Sequence, residues 1–219
     1  MAALPANKAL RADAGQVRIT KRDVEVMTFM AEQYGVRKDQ LGCLLEVSDR
    51  TIRALIDRWV RAGLVSRRTI FAGDHAWLWP TRDGLELASE RFPVWEPRPG
   101  ILEHVFQVTE VRFKVAAKHP DATWISERKL RAEAGGANRP EHMPDGLVLK
   151  AGKQIAIEVQ LAQKSRDRAA DTLSYLTRTY DGAWIFARAG GPTAAIETAL
   201  GALRPEAAKR VRLLPLEEN

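Results

Sequence analysis

The sequence predicts a multidomain α/β chain: a small helical domain closed by a short hairpin, then a larger domain built on a mixed sheet flanked by helices. Three observations predict it. Apolar residues recur at helical spacing through most of the first third of the chain. The run Phe92 to Gly100 (FPVWEPRPG) then concentrates three prolines and a glycine. After it, helix-like and strand-like stretches alternate and include two β runs joined by Lys150-Ala151-Gly152-Lys153. The division is an arm over residues 1–19, a first domain over 20–91, a linker over 92–100 and a second domain over 101–219.

The composition is that of a folded protein. Of 219 residues, 45% are hydrophobic and 28% charged, outside the polar, highly charged range of disordered chains. The formal net charge is +6, which suits contact with nucleic acid or an anionic surface. The excess is uneven, with 13 lysines and arginines against 8 acids between Met1 and Arg68. No apolar run reaches the roughly 20 residues that span a bilayer, and the opening residues lack the apolar core of a signal peptide. Cys43 is the only cysteine, so an intrachain disulfide and a cysteine-rich zinc module are excluded. These features predict a cytoplasmic protein with no membrane partner, and the apolar neighbours of Cys43 predict a buried, structural thiol.

In the first domain, Val24, Met27, Phe29, Met30 and Tyr34 make an imperfect helical stripe over Thr20 to Tyr34. Leu41, Leu44 and Leu45 mark a second helix over Arg37 to Leu45. Ser48 reads as an N-cap, with Asp49 in a first turn where an acid suits the helix dipole. The helix it opens runs to Ala62, with Ile52, Leu55, Ile56 and Trp59 inward, and Gly63 ends it. Arg50, Ala54, Asp57, Arg58 and Arg61 fall on the outer face. Two short strands follow, Leu64 to Arg68 and the run to Trp79, across an Ala72-Gly73-Asp74 turn. At least one of Trp77 and Trp79 is expected against the three-helix core. A helix from Thr81 to Arg91 closes the domain.

Helix, glycine, strand, turn, strand and helix in this order, in TIRALIDRWVRAGLVSRR and then WLWPTRDGLELA, resemble a winged helix-turn-helix domain. The resemblance implies double-stranded DNA as partner, and many such domains act as homodimers. Arg50, Thr51 and Arg53 lie in the turn that would enter the major groove. Arg58 and Arg61, with Arg67 and Arg68 at the base of the wing, are placed for phosphates. The other reading of the same shape is a protein-docking domain with a solvated charged face.

The second domain begins with a helix over Ile101 to Lys118, stopped by His119-Pro120. A strand over Ala122 to Ser126, helical turns over Glu127 to Glu133 and a Gly135-Gly136 loop to Pro140 follow. Then come strands over Met143 to Leu149 and Gln154 to Leu161. A helix over Asp167 to Tyr180, a strand over Ala183 to Ala187, a helix over Pro192 to Leu203 and a strand over Arg210 to Leu216 complete the series.

Period-two alternation puts Gln154, Ala156, Glu158 and Gln160 on one face, opposite Ile155, Ile157, Val159 and Leu161. Asp145 can approach Glu158 from the adjoining strand. A carboxylate on an otherwise apolar strand is costly unless hydrated, paired or metal-bound. PDGLVL followed by IAIEVQ, flanked by helices, resembles the PD-(D/E)XK nuclease superfamily. That resemblance implies Mg2+, with Mn2+ as substitute, held by Asp145 and Glu158 and by an acid on the first core helix. Glu110 is the candidate there and Glu103 its weaker substitute. Where the superfamily has a lysine two residues after the glutamate, this chain has Gln160. Lys164 lies an even number of residues from Glu158 and can reach back if the strand persists or the side chain snorkels inward. His104 is expected to be structural or to hydrogen-bond a carboxylate or phosphate. Lys153, Arg166 and Arg168 are placed for phosphates, with Arg139 and His142 near the aspartate strand.

The order of winged helix, proline-rich linker, His104-bearing helix, WISERKLR, PDG and IAIEVQLAQKS is similar to the replication-relaxation family of actinobacterial plasmids and integrated mobile elements. It implies a role in plasmid or mobile-element replication or maintenance, alongside other proteins of that machinery. Three functions stay open: a magnesium-dependent DNA endonuclease, a non-catalytic transcription or replication regulator with a degenerate nuclease-like domain, and a protein-only scaffold in a mobile-element complex. An attacking tyrosine for DNA relaxation would be Tyr175 or Tyr180, both of which core packing also explains.

Overall fold

The computed structural model describes residues 18–135 and 141–216. Most of the predicted arm, together with Gly136, Arg139 and Pro140, lies outside them. The chain is a mixed α/β protein with two sheets, each packed against its own helices.

The first unit begins with α1 (Lys21–Glu32). Thr20 caps it: its hydroxyl accepts from the Asp23 amide, and the Asp23 carboxylate accepts back from the Thr20 amide at 2.8 Å. β1 (Val36–Arg37), α2 (Lys38–Leu45) and α3 (Asp49–Arg61) follow. The Ser48 hydroxyl accepts from the Thr51 amide at 3.3 Å and fixes the start of α3. Next come β2 (Val65–Arg68), β3 (Trp77–Pro80) and α4 (Arg82–Leu87). Met27, Met30, Leu41, Ile52, Ile56 and Trp59 form one buried core with Leu78 from the sheet. Burying side chains of this size contributes roughly 1.5–3 kcal/mol each.

Several sequence expectations are corrected in this unit. Two-residue β1 carries no readable periodicity, yet it pairs with β3 in a sheet of order β1-β3-β2. The register Val65↔Pro80 to Arg68↔Trp77 leaves residues 69–76 as a long loop, wider than the tight turn expected at Ala72-Gly73-Asp74. α4 stops four residues early because Ser89 adopts φ 58° and the Ser89 and Glu90 amides fold back onto the carbonyls of Glu86 and Leu85. Cys43 is exposed, because Leu41 and Gln40 are the residues α2 turns inward.

Trp77 and Trp79 are both buried, but not on the three-helix core. Alternation gives Leu78 to that core, and the two indoles point to the other face of the sheet. There they meet Trp95 of the linker and Leu102, Val105 and Phe106 of α5 (Pro99–Lys118). The linker is therefore packed, with Phe92 buried and the Pro97 carbonyl accepting from Arg68 Nη2 at 3.3 Å. Gly35 is required here, since a Cβ would lie 2.8 Å from both the Leu78 carbonyl oxygen and the Trp95 ring.

α5 leads into β4 (Thr123–Ser126), α6 (Glu127–Ala134), β5 (Gly146–Lys150), β6 (Lys153–Gln160), α7 (Arg166–Thr179), β7 (Gly182–Ala187), α8 (Gly191–Ala202), the short α9 (Pro205–Ala208) and β8 (Val211–Pro215). The sheet order is β4-β5-β6-β7-β8, antiparallel from β4 to β6 and parallel from β6 to β8. α5 covers one face through Val108, Val111 and Val115 against Val148, Ile157 and Val159. α7 and α8 cover the other through Leu173, Leu176 and Ile196 against Ala156 and Ile185. The β5–β6 turn holds Ala151 at φ 49° and Gly152 at φ 74°, the paired positive angles of a two-residue hairpin turn. No helix among the described residues is long and apolar enough to cross a membrane.

α6 and the end of α1 join the units by polar contacts. Buried Glu32 pairs with Arg112 at 2.8 Å and with Lys129. Arg128 donates to the Ala31 carbonyl at 2.8 Å and to that of Pro93, and its guanidinium lies over Tyr34 and Phe92. Gln40 donates to the Phe106 carbonyl at 3.0 Å, and Phe29 stacks on Phe113.

Candidate functional site

The two-residue turn fixes the β5–β6 register at Lys150↔Lys153 through Gly146↔Ile157. Asp145 lies one residue before that ladder, its amide donating to the Ile157 carbonyl at 2.9 Å, and its charge is felt at Glu158. Gly146 is needed beside it, since a Cβ would fall 2.4 Å from the Trp124 indole lying over this position.

Both acids are held by named partners. Asp145 Oδ2 accepts from the Val159 amide at 2.8 Å, and Oδ1 meets His104 Nε2 at 2.9 Å. Glu158, only 3% exposed, meets His142 Nε2 through Oε1 and accepts from Gln160 Nε2 through Oε2 at 3.1 Å. Lys164 Nζ stands 4.0 Å from the same Oε2. Tyr175 sets its ring edge-to-face with His142, centroids 6.1 Å apart.

Burial and the neighbouring Asp145 charge push the Glu158 carboxyl above its usual range, although His142 and Lys164 oppose them. The hydrogen bond to Glu158 raises the His142 imidazole, outweighing its burial. Burial pulls His104 down, but the Asp145 hydrogen bond and charge, with the charge of Glu158, more than reverse it. The Tyr180 hydroxyl is raised by burial, then by Tyr175 and Glu158.

Several expected site residues thus stand together: Asp145, Glu158, Gln160 and Lys164. Lys164 reaches Glu158 without the strand persisting to it. β6 ends at Gln160, and the following loop carries the lysine back. Glu110 is a correction. Its Oε1 accepts from Gln40 of the first unit at 2.8 Å, on a side of α5 turned away from the acids. Glu103 is taken by Arg188 at 2.8 Å and Gln107 at 3.3 Å. The group that α5 delivers to Asp145 is His104. Lys153 stands at the hairpin turn, the opposite end of β6 from Glu158. Arg166 and Arg168 are exposed on the first turn of α7. Sequence reading placed His142 near the aspartate; its partner is Glu158.

The donor chemistry suits magnesium, which takes hard oxygen ligands and binds through as few as two carboxylates with water and phosphate completing its shell. Among the described residues, no group of three or more histidine, cysteine or acidic side chains is disposed to hold a metal ion. The oxygen atoms of Asp145 and Glu158 would exchange hydrogen bonds from His104 and His142 for any cation they took.

On the first unit, Arg50, Thr51, Arg53, Arg61, Arg67 and Arg68 are exposed, with Thr51 also hydrogen-bonded to the Ser48 cap at 3.0 Å. Arg53 pairs with Asp49 at 2.6 Å, Arg67 with Asp57 at 2.6 Å, and Arg61 Nε donates to the Asp57 carbonyl at 3.2 Å. Arg58 is a correction. It folds inward to fully buried Asp23, which also accepts from Trp59 Nε1 at 2.7 Å, so its guanidinium belongs to the packing of α1 on α3.

No family model matches the chain, and no curated protein matches it.

Proposed function

We propose that this is a DNA-directed protein whose first unit, read as a winged helix, binds a duplex and whose second unit, read as a PD-(D/E)XK-like domain, hydrolyses phosphodiesters. The observation that carries the reading is the approach of Asp145, just before β5, to buried Glu158 of β6, with Gln160 and Lys164 gathered on Glu158. Magnesium, when bound by Asp145 and Glu158, would supply charge against a phosphate and an activated water. The residues themselves have separable tasks. The Val159 amide and His104 fix the Asp145 carboxylate, and Gln160 and His142 fix that of Glu158. Lys164, at 35% side-chain exposure, offers a cation to a phosphate arriving from solvent. A place in plasmid or mobile-element maintenance belongs to the same proposal.

A second reading is favoured by Gln160. Its buried amide cannot deliver the charge a lysine would, which suits a regulator that binds DNA without cutting it. The test is cleavage of supercoiled, linear and branched DNA with Mg2+ or Mn2+, run beside D145A and E158A. Cutting lost in both variants, with DNA binding kept, supports the enzyme; cutting that survives both overturns it. Binding without cutting by the unaltered chain selects the regulator.

A further inference from the structure

A small, partly open cavity lies where the end of α1 meets α5 and α6. Glu32, Gln33 and Tyr34 enter from the first unit, and His104, Glu127 and Asp145 from the second. Its volume is about 20 Å³, enough for one water molecule and no larger ligand. Gln33 is 3% exposed, and its Nε2 is buried with no hydrogen-bond partner among the described residues. An amide left in that state is costly, and native interiors satisfy such groups with protein or ordered water.

The remaining lining explains what the Gln33 amide meets. Glu127 takes the Tyr34 hydroxyl at 3.0 Å and Arg131 at 2.8 Å, and Asp145 takes His104 and the Val159 amide. A carboxylate has about four acceptor positions, so both acids retain capacity. A water in the cavity can therefore accept from Gln33 Nε2 and donate both hydrogens to acids, the three bonds typical of a buried water.

We propose that this cavity is a binding site for one ordered water, and that through it Gln33 ties the end of α1 to the Asp145–His104 pair. The Glu32–Tyr34 stretch then meets the second unit three times in succession. Glu32 forms ion pairs, Gln33 acts through water, and Tyr34, held at φ 69°, bonds Glu127 directly. Gln33 is a positioning residue in this arrangement. Strain at the end of α1, such as a duplex bound to α3 would impose, is passed to the candidate acid without a protein contact between them.

The inference does not depend on whether the acids cut DNA, and its tests need no cleavage. A crystal structure of the full chain at a resolution that resolves waters is expected to hold one water within hydrogen-bond distance of Gln33 Nε2 and of Asp145 or Glu127. An empty cavity, or a Gln33 amide bonded to a protein group, overturns the proposal. Thermal unfolding of Gln33→Leu gives an independent sign. If water serves the amide, leucine strands that water and lowers Tm by about 3 °C, the shift for one lost buried hydrogen bond in a chain of this size. If the cavity is dry, leucine removes an unsatisfied group and raises Tm, which also overturns it.

Discussion

Asp145 accepts the Val159 backbone amide at 2.8 Å, at the point where β5 no longer offers a carbonyl to β6. The side chain finishes the ladder that its own strand leaves incomplete, and this holds the carboxylate at one orientation beside Glu158. Asp145→Ala leaves that amide without a partner and is expected to cost about 1–3 kcal/mol. Asp145→Asn keeps an acceptor for Val159, and a loss well under that of alanine is expected. Urea unfolding midpoints of the two variants separate these outcomes; equal losses would mean that the charge, not the ladder bond, stabilises the fold.

Gln160 occupies the position two residues beyond Glu158, on the same face and 5% exposed. Gln160→Lys would bring an ammonium against a carboxylate that burial and Asp145 hold above its usual range. If the second unit is a weakened nuclease, this substitution is expected to raise metal-dependent cleavage by about 10²-fold, the lower end of acid–base contributions. Quantified nicking of supercoiled DNA measures it. No gain, in a variant that folds and binds DNA, would favour the non-catalytic reading.

Asp23 is fully buried and accepts from Thr20, Trp59 and Arg58. Burial alone would raise its carboxyl, but the hydrogen bonds and the Arg58 charge hold it below the ordinary value. A folded pKa below the unfolded one stabilises the fold above the unfolded value, about 3.9. That contribution is lost as pH falls through the lower, folded value. Asp23→Ala is expected to cost about 3 kcal/mol at neutral pH, because Arg58 and the Trp59 N–H lose their shared acceptor. Asp23→Asn should make stability less dependent on pH below about 4. Denaturant titrations across the acid range test both, and an unchanged acid profile in Asp23→Asn would show that Asp23 is not a source of it.

The approach of Asp145 to Glu158 was readable because it depends on short-range rules. Strand alternation orients Glu158, and the two-residue turn at Ala151-Gly152 sets the register that ends at Gly146↔Ile157, with Asp145 next in the chain. Their partners were only partly readable: a carboxylate for His104 was among the expectations, but not which one. His104 lies 41 residues from Asp145 and His142 lies 16 from Glu158, separations that no periodicity links. The Trp77 and Trp79 misplacement has a related cause. Alternation tells which residues share a face but not which body covers it, and that body is α5. A helical wheel likewise put Arg58 outward, since it cannot anticipate that the α1 cap would leave Asp23 facing α3.

The exposed arginines of α3 divide by what already holds them, and their effects on DNA binding should divide in the same way. Arg50 has no hydrogen bond or ion pair among the described residues, and Arg53 and Arg61 have contacts only within their own helix. Each of these can turn to a phosphate with little loss. Arg58 cannot, being fixed to buried Asp23. If the first unit binds duplex DNA, Arg50→Ala and Arg61→Ala should each weaken binding and reduce the slope of log K against log salt by about 1, one counterion released per phosphate lost. Arg58→Ala should leave the slope unchanged while lowering stability by about 3 kcal/mol. Fluorescence anisotropy across a salt series, paired with unfolding curves, distinguishes the two groups. A slope that responds to Arg58 and not to Arg50 or Arg61 would move the contact surface off the outer face of α3.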